Sequence, residues 1–180
     1  TSNTSNCGGG AIYAQADASG NQITLNLTNC VFGGNNADDW GGAMELDYTT
    51  ATITNCLFYE NTSDYGGAIN SWESAVSGYN CTFADNTGTT SGGGHRSSTD
   101  AVDTYYNSIF YNNNTNIYEK SGATTTLYYS VCSGASTAGV SVNNEITGNP
   151  QFTDSANDDY TLQSSSPAVD AGSSSYAPAT

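Results

Sequence analysis

Hydrophobic and polar positions alternate along this chain in short runs that recur at a nearly fixed period. Segment 41–61, GGAMELDYTTATITNCLFYEN, is matched without gaps by 66–86, GGAINSWESAVSGYNCTFADN, and by 93–113, GGHRSSTDAVDTYYNSIFYNN. The copies start 25 and 27 residues apart, a spacing typical of solenoid, propeller or array proteins. Within a copy, Thr52 and Thr54 flank Ile53, so a period of two places the isoleucine inside and the threonines outside.

The residue types of the repeat favour strands over helices. Thr, Asn, Ser, Gly and Tyr dominate each copy, and these residues are poor in helix interiors. One turn of two or three short strands cannot bury its inner face alone, so the copies are expected to stack with parallel strands pairing from coil to coil. The predicted fold class is therefore all-β, a parallel β-helix of about five to seven coils with a loop-rich C-terminal cap.

A chain of 180 residues is expected to form one domain. Residues 1–10 read as a lead-in, 11–134 as coils and 135–180 as an irregular closing segment. The apolar residues of the closing segment, which include Phe152 and Tyr160, are widely spaced between turn formers. We expect them to lie over the last coil and close its core.

Ladders of identical residues follow from the stack, because like positions in successive coils lie about 4.8 Å apart. One file is predicted inside the coil: Phe32, Phe58, Phe83 and Phe110. A second, three residues later, is predicted at a corner: Asn35, Asn61, Asn86 and Asn113. Stacked amides can hydrogen-bond along the axis, so both files are interpreted as structural.

Cys30, Cys56 and Cys81 share one repeat position and are interpreted as a stack of small buried side chains. Neighbours one coil apart reach disulfide distance only if their side-chain directions agree. Five cysteines leave at least one thiol unpaired within a monomer.

Charge narrows the range of partners. The formal net charge is −15, with 17 acidic residues against only Arg96 and Lys120. Nucleic-acid binding is not expected, because there is almost no cationic surface to displace phosphate counterions. No apolar stretch reaches the roughly 20 residues of a membrane span, so membrane insertion is not expected either. The low lysine content and the abundance of Asn, Ser and Thr are typical of an extracellular or bacterial cell-surface protein.

One outward file combines hydroxyl and aromatic side chains: Thr28, Thr54, Tyr79, Tyr106 and Tyr128. This face is a candidate binding or assembly face, for sugar rings, for another subunit or for ordered water, although tyrosines break the uniform ranks that ice binding needs. The alternative is that threonine and tyrosine simply pair well across strands.

Asp38, Asp39 and Asp64 are weak candidates for calcium ligands at one outer corner. A solvated acidic turn is the favoured alternative, since no spacing fixes a cage. No other cofactor is expected.

A catalytic interpretation has one starting point, in His95, Arg96, Asp100 and Asp103. The ungapped match gives His95 and Arg96 the positions of Ala68 and Ile69, and alternation directs Asp103 inward. These groups could form an acid–base site acting on an acidic sugar. The alternative is a local bulge with a satisfied ion pair, and we favour it, so no catalytic residue is assigned.

Several segments carry a family resemblance. GGAMEL, GGAIN, NCLFYEN and NCTFADN resemble the GGA(I/L) and FxxN repeats of polymorphic-outer-membrane-protein-type β-helix proteins, and DYTLQSSSPAVDAG resembles the DYxLxxxSPAxDAG ending of large secreted bacterial β-helix proteins. The resemblance implies a right-handed helix at the cell surface and no particular reaction. GGHR departs from the repeat. Asn-Xaa-Ser/Thr triplets, which are potential glycan acceptors, begin at Asn3, Asn26, Asn61, Asn80 and Asn113.

The sequence therefore predicts a secreted or cell-surface protein with a structural or adhesive role, extending to self-assembly into an extracellular filament. Expected partners are copies of itself, cell-surface ligands or carbohydrates. The alternative is a carbohydrate-active module, either a sugar binder or an enzyme of the polysaccharide lyase or glycoside hydrolase type, and the balance leans away from an enzyme.

Overall fold

A computed structural model of the chain describes residues 2–17, 22–120, 122–133 and 139–177. These residues form short strands and two brief 3₁₀ helices. The predicted boundary between the coils and the closing segment, at 134 and 135, lies outside the described residues.

The strands follow one another in coils, with a repeated order of four strand positions. The first part of the chain contains β1 (Thr4–Ser5), β2 (Ile12–Gln15), β3 (Ile23–Thr28), β4 (Val31–Gly33), β5 (Asn36–Ala37), β6 (Met44–Asp47), β7 (Thr49–Thr54), β8 (Leu57–Tyr59) and β9 (Thr62–Tyr65). The middle contains β10 (Ile69–Trp72), β11 (Ala75–Tyr79), β12 (Thr82–Ala84), β13 (Thr87–Ser91), β14 (His95–Ser98), β15 (Val102–Tyr106) and β16 (Ile109–Tyr111). The last part contains β17 (Ile117–Glu119), β18 (Thr124–Tyr128), β19 (Val131–Ser133), β20 (Ser141–Asn143), β21 (Phe152–Asp154), the 3₁₀ helix Ser155–Asn157, β22 (Asp159–Leu162) and the 3₁₀ helix Ser174–Tyr176.

Parallel pairing between coils builds four sheets from the described strands. Sheet A has the order β1-β5-β9-β13, sheet B β17-β14-β10-β6-β2, sheet C β20-β18-β15-β11-β7-β3 and sheet D β19-β16-β12-β8-β4. Strands β21 and β22 form a separate antiparallel hairpin. The predicted all-β parallel solenoid is confirmed.

Glycine pairs make the corner between sheets A and B. Gly41, Gly66 and Gly92 have φ angles of 62°, 72° and 70°, a left-handed conformation that glycine adopts without strain. The next residue in each copy has no room for a side chain: a Cβ on Gly42 would lie 2.1 Å from the carbonyl oxygen of Gly67. The paired glycines of the repeat are therefore a requirement of the tight corner.

The interior is a column of stacked side chains. The ring centroids of Phe32, Phe58, Phe83 and Phe110 are separated by 4.8, 4.7 and 4.4 Å, with planes within 7° of parallel. Beside them runs the buried amide file. Asn61 uses both its backbone N–H and its Nδ2 to donate to Asn86 Oδ1, at 3.0 and 2.9 Å. The same pair of bonds joins Asn86 to Asn113, so buried backbone donors are satisfied at every layer.

The ungapped match gives a wrong register for the start of the third copy. His95 pairs with Ile69 and Arg96 with Asn70, one position later than expected. Beyond this strand the expected register returns, because Val76 pairs with Asp103. The register returns because this coil has two turn residues, Thr99 and Asp100, where the preceding coil has only Glu73. Thr99, Asp100 and Glu73 all have positive φ. His95 therefore takes an inward position and Arg96 an outward one.

The closing hairpin does not lie over the last coil, contrary to expectation. It packs on the outer side of sheet D, where the Tyr160 ring lies 5.2 Å from that of Tyr59 and Phe152 contacts Tyr111 edge-on at 6.1 Å. Tyr160 also donates to Asp85 Oδ2 at 3.0 Å. The outward tyrosines of sheet D attract this cover because they would otherwise expose large apolar rings to water.

Candidate functional site

The outer side of sheet B forms a groove of about 360 Å³. Its lining comes from strands β2, β6, β10 and β14 and from the corners beside them. The lining residues are Cys7, Gly8, Tyr13, Gln15, Trp40, Glu45, Asp47, Asn70, Trp72, Arg96, Ser98 and Lys120. Along the coil axis the groove runs from the row of Gln15 to that of Lys120, four steps or about 19 Å at the usual strand spacing.

The floor of the groove is one outward file across four coils. The β-sheet register aligns Tyr13 with Glu45, Glu45 with Asn70 and Asn70 with Arg96. Because parallel pairing is in register, side chains of very different chemistry are held side by side. The structure thus places Arg96, which the sequence analysis grouped with His95, on the opposite face of the same strand.

A hydrogen-bond chain runs along this floor. Arg96 Nη1 donates to Asn70 Oδ1 at 2.6 Å, and Asn70 Nδ2 donates to Glu45 Oε1 at 2.9 Å. Glu45 and Arg96 are only 5% and 8% exposed. The protonated Glu45 carboxyl group has Asp47 as a second hydrogen-bond partner, but Arg96 Nε has none among the described residues. Buried polar atoms are rarely left unpaired in native proteins, so this atom, in a residue that lines the groove, points to a ligand.

Aromatic rings form the two walls. On one side Trp40 and Tyr65 stack with centroids 6.4 Å apart, and the Arg96 guanidinium lies 5.1 Å above the Tyr65 ring. On the other side the Trp72 ring meets Tyr48 edge-on at 4.9 Å. Trp40 remains 40% exposed. The groove therefore offers flat apolar rings beside a polar floor.

The surroundings of the floor residues shift the pKa values of Glu45 and Tyr13. Burial raises the pKa of Glu45 to about 9, and the adjacent Asp47 carboxylate adds to this shift. Glu45 is therefore protonated at neutral pH, and its acid hydrogen is shared with the neighbouring Asp47 carboxylate through a side-chain hydrogen bond. Asp47 Oδ2 accepts hydrogen bonds from Tyr13 Oη at 3.2 Å and Gln15 Nε2 at 3.1 Å. Burial and this contact raise the pKa of Tyr13 to about 12.

The catalytic candidates His95 and Asp103 lie inside the solenoid, not at its surface. His95 Nε2 is 2.8 Å from Asp103 Oδ2, which also accepts hydrogen bonds from Ser71 at 2.6 Å and Ser97 at 2.5 Å. Tyr105 Oη lies 3.1 Å from His95 Nδ1. Burial raises the pKa of Tyr105 well above its usual value, so the phenol keeps its proton and can donate it to Nδ1.

This buried network is a satisfied polar core. Both side chains of the His95–Asp103 pair are fully enclosed, so neither can touch a substrate. Asp100, the remaining catalytic candidate, is exposed in the turn before β15 and lies apart from the network. The four candidates are thus divided among the core, the groove and a turn.

The proposed tyrosine face is partly covered by the chain itself. Tyr79, Tyr106 and Tyr128 do stack, with centroids 5.1 and 5.2 Å apart, in register with Thr28 and Thr54. Tyr176 from the closing segment lies on them, 4.5 Å from the Tyr106 ring. The face therefore has an intramolecular partner.

The other predicted side chains have structural surroundings. Asp64 accepts a hydrogen bond from Thr89, and neither Asp38 nor Asp39 joins a group of three or more acidic, Cys or His residues able to hold a metal within the described ranges. In the cysteine file, the backbone N–H of Cys30 donates to Cys56 Sγ at 3.4 Å. Burial raises the pKa of the Cys81 thiol to about 12.

Two of the potential glycan acceptors are engaged in the amide file. Asn61 and Asn113 are 0% and 7% exposed, and their Nδ2 atoms donate to the carbonyl oxygens of Phe32 and Phe83. A glycan on either nitrogen is incompatible with this packing.

The groove escaped the sequence analysis because its residues come from different repeat positions and from a corner. The amino-acid composition contains the signal from which the groove could have been predicted. The chain has only two tryptophans and two cationic residues, and all four line this groove: Trp40, Trp72, Arg96 and Lys120.

Comparison with known protein families gives a match at the start of the sequence. A family model described as the Chlamydia polymorphic membrane protein repeat matches residues 1–15. No curated protein and no solved structure matches the chain. No helix among the described residues has the length and apolar character needed to cross a bilayer. The chain is thus a parallel β-solenoid with a match, over its first 15 residues, to a repeat of the polymorphic membrane protein type that its GGA and FxxN segments resemble.

Proposed function

We propose that this protein is a cell-surface β-solenoid with an adhesive role, and that it binds a saccharide in the groove on sheet B. The match to a polymorphic membrane protein repeat supports a surface location. The acidic, lysine-poor composition agrees with it.

The observation that carries the proposal is the meeting of aromatic walls with a polar floor that contains an unpartnered buried atom. Trp40 and Trp72 supply flat rings to a site whose floor leaves Arg96 Nε without a protein partner among the described residues. Sugars present apolar ring faces and many hydroxyl groups, so they satisfy both features at once. Binding sites commonly combine apolar walls with a few well-placed polar groups in this way.

The geometry supports binding better than catalysis. The His95–Asp103 pair is enclosed in the core, so an acid–base reaction cannot start there. In the groove, Asp47 is held by Tyr13 and Gln15, and Glu45 is bonded to Asn70. These contacts fix the side chains for recognition.

A glycan array tests the proposal, with Trp72→Ala and a matched aromatic variant, Tyr79→Ala, on the other face. We expect the wild-type protein to bind a restricted set of glycans. Trp72→Ala should weaken binding at least about tenfold, which is 1.4 kcal/mol, and Tyr79→Ala should leave it unchanged. Loss of binding in Tyr79→Ala alone, or a wild-type protein that binds no glycan, would refute the proposal.

End-to-end assembly is a second candidate, supported by the first coil. There the inward residues Ile23, Leu25 and Leu27 are only partly buried, whereas Ile53 and Phe58 in the next coil are fully enclosed. At the other end Val140 and Val142 are also partly buried. A second copy stacked head to tail would bring these two partly buried groups together, and such a contact propagates into a filament.

Sedimentation velocity over a range of concentrations tests this assembly. Association should grow with concentration and should be lost in Leu27→Arg, which places a charge among these partly buried apolar side chains. A wild-type protein that stays monomeric throughout contradicts the second candidate and leaves the groove untouched.

A further inference from the structure

The saccharide site carries an electrostatic feature that ring stacking does not require. The chain has 17 acidic residues and two cationic ones, and both cations, Arg96 and Lys120, line the same groove. The protein has a net charge of −15, so a groove that contains two positively charged side chains differs in charge from the rest of its surface.

Neither cation is neutralised by the protein. Within the described part of the chain, no carboxylate oxygen lies within 4.0 Å of a nitrogen of Arg96 or Lys120, and the ion pair found there is the internal one of His95 and Asp103. Arg96 is instead held by the neutral amide of Asn70 at 2.6 Å and by the face of Tyr65. Arginine forms its strongest hydrogen bonds with carboxylate and sulfate-like groups, so a guanidinium held only by neutral partners retains that capacity.

The acidic residues of the groove do not cancel this charge. Asp47 is already engaged by Tyr13 and Gln15. Glu45 is 5% exposed, and burial keeps its carboxyl group protonated at neutral pH. With Glu45 neutral, the formal charges of the groove residues Asp47, Arg96 and Lys120 sum to one positive charge.

On the basis of the proposed saccharide binding, we infer that the ligand is an anionic saccharide, whose acidic group contacts Arg96 and Lys120 while its rings lie against Trp40 and Trp72. A carboxylate on a uronic acid and a sulfate ester share this chemistry, and the experiment distinguishes them.

Isothermal titration calorimetry in 0.15 M salt tests the inference, because at this ionic strength distant charges of the acidic surface are largely screened. The probes are a tetramer of galacturonic acid, the same tetramer as its neutral methyl ester, and a sulfated heparin-type tetrasaccharide. We expect the free acid to bind at least tenfold more tightly than the methyl ester. Tight binding of the sulfated probe instead would assign the anionic group to sulfate.

Variants locate the effect. Lys120→Gln, at an exposed position, should weaken binding of the anionic probe about threefold, and Arg96→Gln about tenfold, with little change for the methyl ester. Lys120→Gln combined with Asp170→Asn restores the net charge at a distant exposed site. If this double variant recovers full affinity, binding follows the overall charge and the inference is wrong.

The outcomes separate the inference from the proposed function. If free acid and methyl ester bind equally and Trp72→Ala weakens both, the groove binds saccharides without reading charge, and only the inference fails. If the glycan array shows binding to neutral glycans alone, the inference fails in the same way. If the protein binds none of the three probes and no glycan on the array, the proposed function fails and the inference with it.

Discussion

Replacing Glu45 by Gln should change how the stability of the protein depends on pH. Burial, followed by the neighbouring Asp47, raises the pKa of Glu45 from its ordinary value of 4.5 to about 9. In the unfolded chain this carboxyl group loses its proton near the ordinary value. Between the two values the folded state therefore binds one more proton than the unfolded state, so the free energy of unfolding falls as the pH rises.

The size of the effect follows from this difference. The loss is about 1.4 kcal/mol per pH unit, so raising the pH from about 5.5 to about 7.5 costs about 2.7 kcal/mol. For a chain of this length that corresponds to a fall in Tm of about 5 to 10 °C. In Glu45→Gln the amide Oε1 still accepts from Asn70, and no proton is lost. The stability advantage of the variant over the wild type should therefore grow by this margin between about pH 5.5 and about pH 7.5.

Thermal unfolding followed by circular dichroism at a series of pH values measures the difference. The other titratable groups that interact with Glu45 are Tyr13, Asp47 and Arg96. They are common to both proteins, so their effects largely cancel in the comparison. If the two proteins lose stability in parallel as the pH rises, Glu45 is not held protonated in the groove, and the account of the groove floor is wrong.

Three further predictions concern the column of stacked side chains. Asn86→Ala removes the acceptor of two buried hydrogen bonds, so it should lower the free energy of unfolding in urea by about 3 kcal/mol or more. The control Asn80→Gly, at an exposed corner with φ of 52°, should lower it by less than about 1 kcal/mol. Equal losses of stability in the two variants would contradict the asparagine ladder. Phe83→Ala opens a cavity between two stacked rings and should cost about 3 to 5 kcal/mol, so a loss below about 1 kcal/mol would show that the column is not packed. The Cys81 thiol should resist alkylation in the folded protein because it is buried and its pKa is raised to about 12, whereas the exposed Cys7 should react. Rapid modification of Cys81 would show that its layer of the solenoid opens.

The sequence repeat predicts the column of stacked side chains because equivalent positions in successive coils have the same surroundings. A file of Phe or Asn at one repeat position indicates contact between neighbouring layers, and the rings and amides do lie in contact. The predicted register of His95 was wrong because an ungapped sequence match cannot show two changes in residue number that compensate each other. One displaces the strand at Gly92, and the other inserts a residue at the Thr99–Asp100 turn.

The groove could not be predicted in the same way. Its floor brings Tyr13, Glu45, Asn70 and Arg96 into one file, and unlike residues at a repeat position give no pattern to detect. The protonation of Glu45 depends on burial by neighbouring coils, which a single repeat does not show. The coverage of the tyrosine face by Tyr176 likewise depends on where the closing segment folds back.

The most direct test of the groove as the binding site is a titration of the ¹⁵N-labelled protein with the galacturonic acid tetramer, followed by NMR. The chain has two indole N–H groups, of Trp40 and Trp72, and both belong to the groove. Our account predicts that both indole signals and the Arg96 Nε–H signal shift together and saturate at one ligand concentration. Saturable shifts elsewhere on the protein, with these three signals unmoved, would contradict it.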